Sequence, residues 1–206
     1  MSAENDSLVD EVLKSLAPYP IKIRDPIIAA MRAVDRGNYL DKLGYFREAY
    51  NNSTAEHPSQ NGVIISPQPS SIMLHAEILS ICGGQRVLQI GAETGYSAAI
   101  NACIIGPSGR LFVLDFNPLT MKSAKKNVEK NNPDLANIEF VIGDIQLGCP
   151  DHKPFDRIYM PLKIENVDYQ RLQEQLSEKG IMMVLHPSNG MNSTYFLRKN
   201  DKRPTF

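Results

Sequence analysis

The sequence predicts an α/β fold: a mostly parallel sheet with helices on both faces, entered through an N-terminal helical extension. Three observations point there. Short apolar runs recur at 87–90, 111–114, 138–142, 155–160 and 181–185, with helical patterns between them. These runs are mostly apolar at successive positions, as strands covered on both faces require. The run at 87–90 also feeds a turn containing Gly91 and Gly95, and small residues follow over 97–102, which reads as strand, tight turn and helix start.

In chain order, Leu8, Val9, Val12, Leu13 and Leu16 show helical spacing over 7–16, with Ser7 as a cap and Pro18 and Pro20 ending the pattern. A second helix is expected over about 25–34, with Asp25 as cap, Pro26 in the first turn, and Ile27, Ile28, Met31 and Val34 on one face. Asp35-Arg36-Gly37-Asn38-Tyr39 closes this preface, and Asp35 and Arg36 read as a surface ion pair of little energy. Residues 45–61 are polar and aperiodic, hence a long loop, a length more often used as a functional cover than as filler. A β segment at 62–66 turns at Pro67 and Pro69 into a helix through about Ile81, capped by Ser70 or Ser71. His75 in that helix has no ligand or acid–base partner at helical spacing and reads as an ordinary packed or surface histidine. A basic amphipathic helix is expected over 118–131, its lysines forming a solvated face. The strand at 155–160 should stop at Pro161, and a helix over 168–176 should end with Gly180 at its C-cap. A sixth strand is expected over 194–198. Residues 1–61 thus form the helical extension and covering loop, and 62–206 one compact α/β unit.

Ligands in such sheets bind at the carboxyl ends of strands. Ser66, Gly91, Asp115 and Asp144 all fall at or just past strand ends and can share one crevice. The glycine turn aims backbone N–H groups and a positive helix end at an anionic part of a ligand. Asp115 ends the next strand, where an acid accepts hydrogen bonds from ribose hydroxyls. The unit reads as a site for an adenosine-containing ligand. The competing reading gives Gly91 and Gly95 a packing role alone, letting the helix approach the sheet.

Composition bounds the rest. The 206 residues fit one domain, and 42% hydrophobic with 22% charged residues is ordinary for a globular chain. A net charge of −1 offers no electrostatic case for nucleic acid or an anionic membrane. Cys82, Cys103 and Cys149 form neither a disulfide framework nor a metal site, so a reducing compartment is expected. The polar N-terminus lacks a signal core and no run is long enough to span a membrane, so the expected location is cytoplasmic.

With these residues placed, the chain resembles the protein-L-isoaspartate (D-aspartate) O-methyltransferases over about 27–198. The stretches that carry the resemblance are 30–39 (AMRAVDRGNY), 87–99 (VLQIGAETGYSAA) and 143–148 (GDIQLG). The resemblance implies a Rossmann-like class I methyltransferase sheet with S-adenosylmethionine as cofactor and isoaspartyl-containing peptides or proteins as substrate. It further implies that Gly91 and Gly95 shape the pocket for the methionine part, that Asp115 holds the ribose, and that Asp144 and Ile145 lie beside the adenine. Methyl transfer to an ionised carboxylate needs alignment more than acid–base help.

The departures from the family pattern cluster at the same crevice. The family serine that helps place the acceptor falls on Pro67. Ser66, the candidate catalytic residue, stands one position early, where an extended chain turns a side chain the other way. Gln89 replaces an acid, and Glu93 replaces the middle glycine, where a carboxylate can crowd or repel the cofactor's own. Met160-Pro161-Leu162 replace small residues, and Phe206 ends the chain ahead of the family's last strand. Three functions follow: an isoaspartyl methyltransferase, a methyltransferase-fold protein that has lost the reaction and acts as a binding or structural subunit, or a methyltransferase with another acceptor. Whether Glu93 fills the pocket discriminates among them.

Overall fold

The computed structural model describes residues 2–40, 49–59, 62–163, 168–188 and 191–201. An antiparallel ribbon pairs β1 (Ala55–Ser59) with β2 (Gly62–Ser66). The central sheet holds β3 (Arg86–Ile90), β4 (Arg110–Asp115), β5 (Ile138–Ile142), β6 (Phe155–Lys163), β7 (Leu176–Ser188) and β8 (Met191–Arg198), in the order β5-β4-β3-β6-β7-β8. The first five of these are parallel, and β8 returns antiparallel to β7.

Side chains alternate between two apolar layers with the strand period of two. Val87, Leu111, Val113, Tyr159 and Met183 face one layer; Leu88, Phe112, Ile158, Met182 and Val184 face the other. The first layer is thickly covered by α1 (Ala3–Leu16), α2 (Asp25–Ala33), α4 (Pro69–Ile78), α5 (Tyr96–Ile105) and α6 (Pro118–Asn131), with the short α3 (Gly37–Leu40) adding Tyr39. The second is covered by α7 (Tyr169–Gln173) through Leu172, and by Cys149 and Ile145 from the segment after β5. No helix among the described residues is long and apolar enough to cross a membrane.

Several elements differ from the sequence expectation, each for a physical reason. Helix α1 begins at Ala3, with Ser2 rather than Ser7 as its cap: Ser2 Oγ accepts from Asn5 N at 3.2 Å, and Glu4 and Asp6 suit the positive end. The extra turn is held because Asn5 is buried, donating through Nδ2 to the Met31 and Arg32 carbonyls at the end of α2. Arg24 caps α2 and Asp25 lies inside it. Gln68, not Ser70 or Ser71, precedes α4, with Pro69 as its first residue, and the helix ends at Ile78.

Residues 55–59 form a strand despite lacking strand periodicity, because the adjacent 62–66 supplies a ladder. The rest of the expected 45–61 loop lies partly outside the described residues. Pro161 does not stop β6; it falls where the ladder to β7 is irregular, between Tyr159 and Lys163, so its missing N–H costs no regular bond. Helix α7 is only five residues long. Gly180 lies inside β7, where a Cβ would meet the Phe155 carbonyl at 3.0 Å and Leu176 Cβ at 2.8 Å.

Candidate active site

The strand order reverses about β3, which has β4 on one side and β6 on the other. A crevice outside the carboxyl ends of strands at such a point is where open α/β sheets take ligands. The turn leaving β3 sits there. Gly91 (φ 105°), Glu93 (φ 51°) and Gly95 (φ 89°) are all left-handed. Gly95 has a packing duty as well: a Cβ would stand 2.8 Å from the Ala124 carbonyl and 3.1 Å from Val128 Cγ2 on α6. Asn127 Nδ2 fastens the same helix to the Thr94 carbonyl at 3.0 Å. The helix-approach reading of this glycine therefore holds alongside any ligand role.

Asp115 closes the turn. Its Oδ2 accepts from Ala92 N at 2.9 Å and its Oδ1 from Asn117 N at 2.8 Å. One N–H per oxygen leaves further lone pairs for incoming hydroxyls. The Asp115 carbonyl accepts from Gly143 N at 3.1 Å, which brings Asp144 and Ile145 to the same edge. Asp144 is exposed, with Oδ1 on Gln146 N at 2.9 Å, and Ile145 packs partly under the second layer.

Sequence reading missed the apolar side chains around Asp115. Phe116 is 66% exposed, Leu119 54% and Ile142 59%. Large apolar groups left open beside a buried carboxylate suit a flat, apolar ligand face. The position of Phe116 and Ile142 at strand ends was the available signal; Leu119 lies in the first turn of α6.

Glu93 does not project as a bare charge. It is 4% exposed, and its Oε2 accepts from Ser97 Oγ at 3.0 Å on the first turn of α5. Ser97 in turn accepts from Gln89 Nε2 at 2.8 Å, and Gln89 Oε1 accepts from Asn101 Nδ2 at 3.0 Å. The two departures from the family motif are thus members of one buried chain. Burial pushes the Glu93 carboxyl up to about 8, with the nearby Asp115 charge adding to the shift and the Ser97 bond opposing it. Burial thus favours its uncharged form at neutral pH.

Ser66, the last residue of β2, is buried, and its Oγ has no partner among the described residues. Its neighbours Ile65, exposed, and Pro67, half-buried, face differently. Arg36 positions this segment. It does not lie at the surface, as an exposed ion pair would require: the residue is 0% exposed. Nη1 donates to the Asn51 carbonyl at 2.8 Å, and Nη2 to the Ser53 carbonyl at 2.8 Å and the Pro67 carbonyl at 3.4 Å. The guanidinium also lies 5.9 Å from the Tyr96 ring centroid. Asp35 instead accepts from Gly37 N and the Tyr50 hydroxyl. His75 packs against Tyr159, ring centroids 6.0 Å apart, and burial lowers its pKa to about 4.

A cavity of about 370 Å³ lies elsewhere, at the amino ends of β4 and β5, lined by Gly106, Arg110, Asp134 and Asn137 among others. It is at the opposite edge from the glycine turn and shares none of the residues above. Among the described residues no group of three or more His, Cys, Asp or Glu side chains is placed to hold a metal.

Sheet order, glycine turn and strand-end carboxylate together define a class I S-adenosylmethionine-dependent methyltransferase fold. The family model of Protein-L-isoaspartate(D-aspartate) O-methyltransferase (PCMT) matches residues 7–204, and the chain belongs to that family. It is 29% identical over 180 residues to a Protein-L-isoaspartate O-methyltransferase of Fervidobacterium nodosum, covering 86% of this chain and 85% of that one. A relative of the same name from Ruegeria sp. is 33% identical over 85% of this chain and 77% of its own length. The chain spans only half of the Thermotoga maritima relative, at 29% identity over 79% of this chain. A solved protein-L-isoaspartate O-methyltransferase superposes with a TM-score of 0.75 at 28% identity, over 86% of this chain and 55% of that one. A Plasmodium falciparum structure, titled as a putative member in complex with S-adenosyl-L-homocysteine, has the same fold, with a TM-score of 0.80 at 16% identity over 97% and 92% of the two chains.

Proposed function

We propose that this protein transfers a methyl group from S-adenosylmethionine to the carboxylate of L-isoaspartyl residues in damaged proteins, in the cytoplasm. The observation that carries this reading is the closed glycine turn: Asp115 bonded to Ala92 N, with the Gly143–Asp144 backbone attached behind it. These residues fit the cofactor. Asp115 would take the ribose hydroxyls, Phe116 and Ile145 would cover the base, and Asp144 would meet its polar edge. Gly91, Glu93 and Gly95 would shape the pocket for the amino-acid end.

The cofactor supplies a methyl group already activated on sulfur, and the acceptor carboxylate is already ionised at neutral pH. The chain's task is therefore alignment and exclusion of water. Ser66 would orient the acceptor carboxylate by donating from its unpaired hydroxyl, and Arg36 would hold the segment that carries it. Residues 1–61 would form the extension and cover, and 62–206 the catalytic unit. Protection of the 45–61 segment from protease when ligand is added tests that division. No nucleic acid or membrane enters this reading.

The lost-catalysis alternative drew its force from Glu93 as an opposing charge. Its neutral, tied-back carboxyl favours the enzyme. Calorimetric titration with S-adenosylhomocysteine, followed by turnover of an isoaspartyl peptide, tests this. Micromolar binding abolished by Asp115→Asn, with turnover that falls in Ser66→Ala, is expected. A folded protein giving neither heat nor turnover would move the assignment to a binding subunit.

A further inference from the structure

The hydrogen-bond chain under the glycine turn has a direction, and that direction fixes what Glu93 offers. The Gly91 carbonyl can only accept, so the Gln89 atom 3.0 Å from it is the amide nitrogen. This orientation puts the amide oxygen toward Asn101 Nδ2, as found. The same nitrogen donates to Ser97 Oγ, and the Ser97 hydroxyl donates to Glu93 Oε2. Oε2 is therefore the accepting oxygen of the carboxyl, and the acid proton belongs on Oε1. That oxygen is shut off from solvent and has no partner among the described residues.

A donor of this kind sits at a turn where backbone N–H groups and the start of α5 favour negative charge. The anionic group of S-adenosylmethionine is its carboxylate. We propose that Glu93 binds the cofactor's carboxylate as a hydrogen-bond donor, through its protonated Oε1. The inference rests on the reading of this crevice as a cofactor site, and it inverts what the sequence suggested for this residue. A carboxylate here would repel the ligand; a carboxylic acid recognises it. A modest side-chain rotation toward the crevice, keeping the Ser97 bond, is what ligand binding would select.

Cofactor affinity is then pH-dependent. The groups around Glu93 are Asp115 on β4, Tyr159 on β6 in register with Gln89, Tyr96 on α5 with Arg36 over its ring, and His75 on α4 against Tyr159. Burial raises both tyrosines and holds His75 neutral, with a pKa of about 4. Asp115 is engaged by two backbone N–H groups. Glu93 itself changes charge near 8.

The test is the dissociation constant of S-adenosylhomocysteine, measured by calorimetry from about pH 6.5 to about pH 9 for the wild type, Glu93→Gln and Glu93→Ala. The ligand's own amine titrates identically in all three, so differences between them report Glu93. The wild type should weaken about tenfold more than Glu93→Gln between about pH 6.5 and about pH 9. Glu93→Gln keeps a donor in place of Oε1 and should lack that loss, whereas Glu93→Ala should bind about five- to tenfold more weakly than the wild type at the low end. Tighter binding by Glu93→Ala, or identical pH profiles for wild type and Glu93→Gln, would overturn the proposal while leaving the cofactor site standing. No binding by any of the three, with their circular dichroism intact, would overturn both.

Discussion

The glycine turn and the Ser66 segment are built by opposite means. The turn is local: Gln89, Glu93, Ser97 and Asn101 lie within one strand–turn–helix unit and bond to one another. The Ser66 segment is held from a distance, with Arg36 gathering the carbonyls of Asn51, Ser53 and Pro67. A local network can be rewritten by exchanging neighbours, as the acid missing at position 89 and the acid present at 93 illustrate. A clamp on backbone carbonyls from several segments admits no such exchange, because nothing but the guanidinium fork satisfies all of them.

That contrast breaks first at Arg36. Replacing it with Met should cost about 3–5 kcal/mol, since buried carbonyls lose charge-assisted partners, and Lys should recover little of it. Urea denaturation measures both. A loss under about 1 kcal/mol would mean that the clamp is dispensable.

The local side should show coupling instead. Gln89→Glu places a second carboxyl on Ser97, whose single proton serves one acceptor, and strips the Gly91 carbonyl of its donor; about 2–4 kcal/mol should be lost. Adding Glu93→Gly should return at least about 1 kcal/mol, a coupling that additive single-mutant effects would deny.

Glu93→Gln gives a smaller effect with a defined sign. Burial raises the Glu93 pKa from 4.5 to about 8, so the unfolded chain ionises first. The stability this residue supports is complete below 4.5 and is lost as pH rises through about 8. Glu93→Gln should remove this slope and be more stable than the wild type at the alkaline end by about 1–3 kcal/mol. A parallel pair of stability–pH curves would contradict the buried neutral acid.

Phe116→Ala should be the mildest to the fold. The side chain is 66% exposed, so stability should stay within about 0.5 kcal/mol, while cofactor affinity falls about fivefold through lost cover of the base. Unchanged affinity in the titration would remove Phe116 from the site.

How legible each side was follows from the same contrast. The strand–turn–helix unit and Asp115 were readable because their spacing is set by chain geometry: glycines where φ is positive and an acid at the end of the next strand. Helix α6 appeared at its observed bounds because its amphipathic period is local and regular. Pattern failed where a partner overrode it, as in β1, in the continuation of β6 through Pro161, and in Gly180 inside β7. Arg36 was misread because composition assigns charged residues to the surface, and its partners are backbone carbonyls that no side-chain pattern marks.

The sequence by itself determined the α/β class, the alternation of strands and helices along the chain and the strand-end positions of Gly91, Asp115 and Asp144, because periodicity and turn chemistry are local; the order of strands within the sheet came from the structure. Only the tertiary structure decided the state of Glu93 and the role of Arg36. Protonation depends on desolvation by packed neighbours, and a buried guanidinium depends on which carbonyls folding brings to it; both are set by contacts between segments distant in the chain.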